Sequence, residues 1–444
     1  MTRQRGTAMV AVLWGITITA LLVAALQVGT TRMAMLGRDT TEHIRARWAA
    51  RAGAESTIAT LAYHTRYPVP DDAYALVKDL EIVHAGELAG GSWIIQHAAG
   101  DSPRPFAGPL DEHAKLNVNG EHRAYIDVMF GPLSWGVFAA IEDWIDEDDE
   151  PSEFGVERDY YQSLDSRYEP RNAPLQSVTE LELVAGIEPS DIRGEDWNMN
   201  SLLDPSENDG DETPPWDNES GVLDGGWARM LTVRSVADGA TNSGLPRIWL
   251  MATDADELIE RFASLGTELT PEKAQRLIND AVSGEFSATS LVTDLGIKQA
   301  PPNEDESVED AAVEEPFSPD EIALVLSETS LTPHHRRGWG QLNINTVPPE
   351  TLYAMFEGTE RLVDSLLSLR TRRANGLPSQ VDFWDLEGAE QATLEQILPL
   401  FGTSSNVFTI SSRGESSATG EVAEINVVVD RSSLPVRILE YREN

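Results

Sequence analysis

Between Arg5 and Arg32 the chain carries no charged side chain, and residues 7–28 are almost continuously apolar. A run of that length lets one helix cross about 30 Å of hydrocarbon. Beyond Arg32 the pattern becomes periodic. Ile44, Trp48, Ala52, Ile58 and Leu61 recur at roughly three-to-four spacing, and no proline precedes Pro68. The pattern predicts one helix over 7–64, about 85 Å long at 1.5 Å per residue, with 7–28 as a transmembrane half and the rest amphipathic. Tyr67-Pro68-Val69-Pro70 stops it, and Asp71 to Leu80 reads as a short helix. A hairpin follows, with Ile82-Val83-His84 and Trp93-Ile94-Ile95 on either side of Gly90-Gly91.

Farther on, Leu116-Asn117-Val118-Asn119 returns as Leu342-Asn343-Ile344-Asn345. About twenty residues beyond each copy lies a helical stretch, Trp135 to Trp144 and Arg361 to Arg372. A weak internal duplication follows from that spacing. In the second copy Asn345 or Thr346 is the expected cap, with Pro348 and Pro349 in the first turn and Glu350 where the helix dipole favours an acid. Strands are expected over 229–235 and 246–251, and helices over 255–265 and 271–282. Residues 299–316 read as an acidic linker. The chain closes with alternating strands over 405–412, 421–429 and 436–441, able to complete the sheet begun near Ile82.

Composition narrows the function classes. The 444 residues are 41% apolar, enough for two or three domains with real cores. A net charge of −41 disfavours nucleic acid and anionic headgroups as partners and favours divalent cations. With no cysteine, a disulfide framework is ruled out, and the compartment is left open. Catalysis finds little support. Gly100-Asp101-Ser102 lacks a strand–Ser–helix setting, and His334-His335 has no zinc-binding partners in the pattern.

The sharpest chemistry lies in Gly194 to Glu207. Counted from Asp196, oxygen donors fall at positions 1, 3, 5, 9 and 12 of a calcium loop: Asp196, Asn198, Asn200, Asp204 and Glu207. Leu202 at position 7 offers a carbonyl and Leu203 the apolar plug. Ser201 stands where the turn normally wants glycine. A structural Ca2+ is expected there, in an EF-hand-like loop without the two flanking helices. An eroded second loop, with Asn218 and Asp224 in register, needs Asp209, Asp211 or Asp217 to supply acids, because Trp216 and Trp227 occupy its end positions. A third acidic group, Asp143, Asp146, Asp148, Asp149, Glu157 and Asp159, is either a cation site or a solvated face.

A basic leader ending in glycine, followed by an apolar helix that turns amphipathic, resembles the class III signal of type IV pilins and pseudopilins; an ordinary signal anchor is the alternative. The resemblance implies a prepilin peptidase cut after Gly6, leaving Thr7 as the N-terminus and residues 1–6 as leader. Ala11 stands where most members carry glutamate, a departure shared by the K-type minor pseudopilins of type II secretion systems. The block from Asp143-Trp144-Ile145-Asp146 through Glu157-Arg158-Asp159-Tyr160-Tyr161 and Asn172-Ala173-Pro174-Leu175 to Glu180-Leu181 is similar in order and spacing to the helical domain of that subfamily. Within it, Trp144 and Tyr160 are expected in the core and Ser177 as the cap of a helix beginning at Val178.

The resemblance implies an α+β fold in which a long N-terminal helix packs on a small antiparallel pilin-like sheet. The sheet would be drawn from 65–110 and 401–444, with a large mostly helical domain inserted over 111–400. It further implies a single-pass inner-membrane protein with a cytoplasmic N-terminus (Arg3 and Arg5 favour this) and its bulk in the periplasm. Its place would be the tip of a pseudopilus, with I- and J-type minor pseudopilins as partners. Leu-Asn-Ile-Asn-Thr followed by helices also resembles the helix-hairpin-helix modules of membrane-anchored competence DNA receptors. The acidic run 142–150 would repel a duplex, so no nucleic acid is expected.

Overall fold

The computed structural model describes residues 4–98, 102–131, 136–210, 212–214, 216–237, 241, 243–287, 289–293, 315–331, 338–388 and 390–443. Asp101, Trp135, Asp211, His334, His335 and all of the expected linker except 315 and 316 lie outside the described residues. Helix α1 runs over Gln4–Arg66, and it is long and apolar enough to cross a membrane. The periodic half buries Leu61 and packs Ile58 against the same core, as expected, but its earlier turns bury a different stripe. Ala46, Ala49, Ala50, Ala54 and Leu61 are inside, whereas Ile44 and Trp48 remain 47% and 58% exposed. Close approach decides this. A Cβ added at Gly414 would collide with the helix backbone at Ala46 and Ala50, so the strand lies almost directly on the helix and only small residues fit between them. Ser412 Oγ donates to the Ala50 carbonyl at 2.8 Å across the same contact.

Helix α2, Ala75–Val83, takes in Ile82 and Val83, which the sequence pattern assigned to a strand. Leu76, Leu80 and Val83 stand at helical spacing, and Leu80 is buried under the sheet, so the packed face outweighs β propensity. The hairpin therefore starts later, as β1 Ala85–Leu88 and β2 Gly91–His97. Two short strands follow, β3 Phe106–Ala107 and β4 Leu110–Asp111.

The chain then leaves the sheet for about three hundred residues before returning as β11 Val407–Ser416, β12 Val422–Asp430 and β13 Arg437–Glu443. The sheet order is β1-β2-β11-β12-β13, antiparallel throughout, with β3 on β2 and β4 on β11. Ile95, Ile410, Ile425, Val427 and Val429 face α1 and form one core with it. The architecture is α+β: a long apolar helix on an antiparallel sheet, with a mostly helical body between the sheet's two halves.

That body has its own, larger core. Its strands come in two-residue parallel pairs: β5 Leu116–Asn117 with β6 Leu231–Thr232, β7 Ile248–Trp249 with β8 Thr329–Ser330, and β9 Leu342–Asn343 with β10 Phe401–Gly402. The strands expected over 229–235 and 246–251 shrink to β6 and β7 because each finds so short a partner. Helices over Ala255–Ser264 and Pro271–Ser283 stand close to expectation.

The two Leu-Asn-aliphatic-Asn copies share one hydrogen-bond pattern. Asn119 Oδ1 accepts from Leu175 N at 2.8 Å while its Nδ2 donates to Leu175 O at 2.9 Å. Asn345 makes the same pair with Leu377 at 2.7 and 2.9 Å. In both, the first asparagine of the motif accepts from the second's backbone N–H at 2.9 Å, and its Nδ2 reaches the hydroxyl of Ser235 or Ser405 at 3.0 or 2.7 Å. Asn345 is thus a clamp, not a helix cap. The helix after it, Pro349–Met355, starts from Pro348 with no side-chain cap.

Candidate functional site

The loop from Asp196 to Glu207 folds around its own acids. Asp196 Oδ1 accepts from Asn200 N and Oδ2 from Ser201 N, both at 3.0 Å. Glu207 closes the other end, its two oxygens accepting from Trp197 N at 2.9 Å and Asp204 N at 3.1 Å. Asn198 and Asn200 both donate to Asp204 Oδ2, at 2.7 and 3.0 Å, so three of the expected donors already converge. Ser201 adopts φ +59°, the left-handed turn usually left to glycine.

Asp196 and Glu207 are only 6% and 2% exposed. Burial pushes Asp196 up to about 6 against its backbone hydrogen bonds, and it pushes Glu207 up to about 7 with help from the Asp196 charge. A buried set of hard oxygen donors whose carboxylates resist ionising alone fits a calcium ion.

The second loop is arranged differently. Asp217 accepts from the backbone N–H groups of Asp209, Gly210 and Glu219, Asp209 binds Thr213, and Asp224 caps Gly226 N. Asn218 turns onto Ser220 N. The residue that organises this stretch is Glu195, 8% exposed, whose two oxygens accept from Asn218 N and Asp224 N at 3.2 Å. It lies beside Asp196 in sequence but outside the loop register, so a spacing argument passes over it. Asp211 lies outside the described residues.

The six acids of the third group divide. Asp148 accepts from Glu150 N, and Asp149 is held by Arg158 and Asn172. Asp159 is exposed in the first turn of the helix Arg158–Ser163. Asp143, Asp146 and Glu157 instead bring one carboxylate oxygen each within 4.8 Å of the others. Trp144 is buried above them, in edge contact with Tyr161 at 5.1 Å. Tyr160, expected in the core, is 41% exposed, and its neighbour Tyr161 takes the inside position because the helix presents one face to Trp144. Ser177 caps a 3-10 turn, Val178–Leu183.

Other polar residues join the body to the sheet. Glu112, 5% exposed, accepts from Thr232 of the body and Thr409 of β11. Burial acts to raise its pKa, but Lys115, Arg234 and these hydroxyls bring it below the ordinary value. Between α2, the sheet and the second copy, at Asn343, Asn345 and Thr346, lies a cavity of about 600 Å³. Two of its arginines are held internally, Arg234 by Glu440 and Arg431 by Thr65 and the Ser405 carbonyl.

Residues 134–194, which hold the acid group, Trp144, Tyr161 and the first asparagine clamp's partner Leu175, match the family described as type II secretion system (T2SS), protein K. The resemblance to K-type minor pseudopilins holds. "Type II secretion system protein K" of Klebsiella pneumoniae is 26% identical over 202 residues, a stretch covering 42% of this chain and 59% of that protein. The chain thus spans under two thirds of the curated relative it matches. A solved structure, the GspK-GspI-GspJ complex from the type 2 secretion system of enterotoxigenic Escherichia coli, aligns over 92% of this chain and 99% of its own at 12% identity, with a TM-score of 0.45.

The Leu-Asn-aliphatic-Asn turns hold their polar groups inward, on Leu175, Leu377, Ser235 and Ser405. Arg370 donates to the carbonyls of Ile344 and Val347, and Arg373 pairs with Asp382 and Asp385. Arg370 and Arg373 of the second copy are therefore engaged within the fold, and the DNA-receptor reading gains no support.

Proposed function

We propose that this chain is a minor pseudopilin at the tip of a type II secretion pseudopilus, where it starts or caps assembly together with I- and J-type minor pseudopilins. One observation carries the reading: a protein K segment, residues 134–194, sits in a body set between the two halves of a sheet on a long N-terminal helix. The body's bulk beside the sheet would obstruct a further subunit, and Ala11 in place of an acid suits a subunit with none ahead of it. The role is structural, in keeping with the family, and not catalytic.

In this reading the apolar half of α1 spans the inner membrane with the N-terminus in the cytoplasm, and prepilin peptidase cuts between Gly6 and Thr7. The exposed Ile44 and Trp48 are then available to neighbouring subunits. Mass spectrometry of the chain from cells with and without the peptidase tests this. A mature N-terminus at Thr7 is expected with it; an intact Met1, or a cut beyond Val28, overturns the reading. Site-specific cross-linking from Trp48 should capture another pseudopilin.

Asp196, Asn198, Asn200, the Leu202 carbonyl, Asp204 and Glu207 would hold a structural calcium. The ion supplies positive charge to carboxylates whose ionisation burial opposes, and so locks the loop. Asp196→Ala with Glu207→Ala should lower the melting temperature more in calcium than in chelator, where only their backbone hydrogen bonds are lost. Equal effects in both would count against calcium there.

A further inference from the structure

The cavity of about 600 Å³ is of the size of small-molecule sites, and it lies where such sites are common, at the junction of two packed units. Its wall is drawn from α2, from the sheet and from the body. Val69 and Phe106, both exposed, belong to the same lining, so the space reaches the surface.

Among the described residues six arginines and lysines line it, in a chain of net charge −41. Five are engaged. Arg193 pairs with Glu182, Arg229 with Glu350, and Arg234 and Arg442 with Glu440, while Arg431 holds Thr65 and the Ser405 carbonyl. Lys115 is the exception. It is half-buried and makes no hydrogen bond or ion pair with a described residue, although its charge helps to keep Glu112 ionised.

A second group is unsatisfied in the same space. Asn426 lies in β12, where Ile425 and Val427 on either side of it pack in the core with α1, so its side chain points to the other face of the sheet, toward the cavity. Asparagine is a poor strand former. Here its Oδ1 is buried without a hydrogen-bond partner, and its Nδ2 has none among the described residues. An unpaired carboxamide inside a protein is costly, and its donor and acceptor match those of another amide. Leu76, Val77 and Leu80 of α2 add apolar surface to the lining.

We infer that this cavity binds an N-acylated apolar amino acid, free or as the last residue of a peptide. Lys115 takes the carboxylate, Asn426 the amide, and the apolar residues of α2 the side chain.

The test is calorimetric titration of the full chain in detergent, against a micelle blank. The probes are acetyl-leucine, the tripeptide acetyl-Ala-Ala-Leu with a free carboxylate, the same tripeptide amidated at its C-terminus, and octanoate, which has the carboxylate and hydrocarbon without the amide. The free acids should bind, and the amidated tripeptide about tenfold more weakly, because it loses the charge-assisted bond from Lys115. Lys115→Met should erase that ratio, and Asn426→Leu should bring the tripeptide acid down to the level of octanoate. Equal affinities for acetyl-leucine and the tripeptide acid assign the site to the free acylated amino acid; tighter binding of the tripeptide assigns it to a peptide end.

The ratio of acid to amide is read on the unaltered protein, so a variant that failed to fold would leave the test standing. No binding of any probe at millimolar concentration overturns the site, as do equal affinities for acid and amide, or wild-type affinities in both variants. Octanoate binding as tightly as the tripeptide acid overturns the amide-bearing ligand.

Discussion

In the first Leu-Asn-aliphatic-Asn unit, Asn119 clamps a residue 56 positions downstream; in the second, Asn345 clamps one 32 positions downstream. The clamps themselves match atom for atom, and each is followed by a serine-capped 3-10 turn, Val178–Leu183 or Gln380–Asp385. The difference lies in how the preceding helix ends. Glu360–Arg372 finishes on Arg370 and Arg372, with Arg373 next, cations where the dipole's negative end wants them. Val137–Ile145 finishes on Asp143 and runs into Asp146, Asp148 and Asp149, against that dipole. One unit sets cations against the negative end of its helix, and the other sets carboxylates there.

The strongest way to break this comparison is to remove the shared clamp. Asn119→Ala and Asn345→Ala each strand a buried N–H and C=O, and each should cost about 3 kcal/mol in denaturant unfolding. A large cost in one and a small one in the other would show that the units are not equivalent. Next, withdrawing calcium should remove about 2.7 kcal/mol if the ion is held at roughly a hundredfold its Kd. Protease should then cut within 196–207 while 346–376 stays intact, as read by mass spectrometry of the fragments. Cutting in both connections would end the contrast.

Replacing the built-in cation is a slightly smaller step. Arg370→Met frees the Ile344 and Val347 carbonyls and should cost about 2 kcal/mol, with or without calcium. The smallest effect belongs to Arg373→Ala. Its ion pairs with Asp382 and Asp385 lie at a side chain 38% exposed, so a loss of about 0.5 kcal/mol or less is expected, fading in high salt.

Much of this frame is legible in the sequence where one signal acts alone. The apolar run, the proline stop and the alternating C-terminal strands carry strong local patterns, and the sheet they form appears as β11 to β13. Legibility fails where tertiary contact chooses between neighbours. Nothing local says that alanines rather than Ile44 and Trp48 will meet the sheet, because that depends on Gly414 lying against Ala46 from the far end of the chain. Tyr160 and Tyr161 are chemically alike, and only the position of Trp144 makes one of them core.

The candidate sites divide in the same way. Donor spacing within one loop locates Asp196 to Glu207. Spacing cannot tell which of six acids gather, since Glu157 reaches Asp143 only after the chain between them has turned back. Glu195 and Glu112 escape for a related reason: their partners, Asn218, Asp224, Thr232 and Thr409, lie 23 to 297 residues away.

The position of β11 in the sheet order sets the timing of assembly. It pairs with β2 on one side and β12 on the other and lies against α1, yet it is synthesised only after the whole body that separates it from β4. A nascent chain can close the asparagine clamp on Leu175 and gather the body's core while β1 and β2 remain a bare hairpin, a structure of marginal stability in water. Helix α1 meanwhile has only β2 to cover its alanine stripe. The sheet begun before the body is therefore completed only after it. A chain truncated before residue 407 would keep a folded body on an incomplete stalk, its unpaired β2 edge open to any other strand that reaches it first.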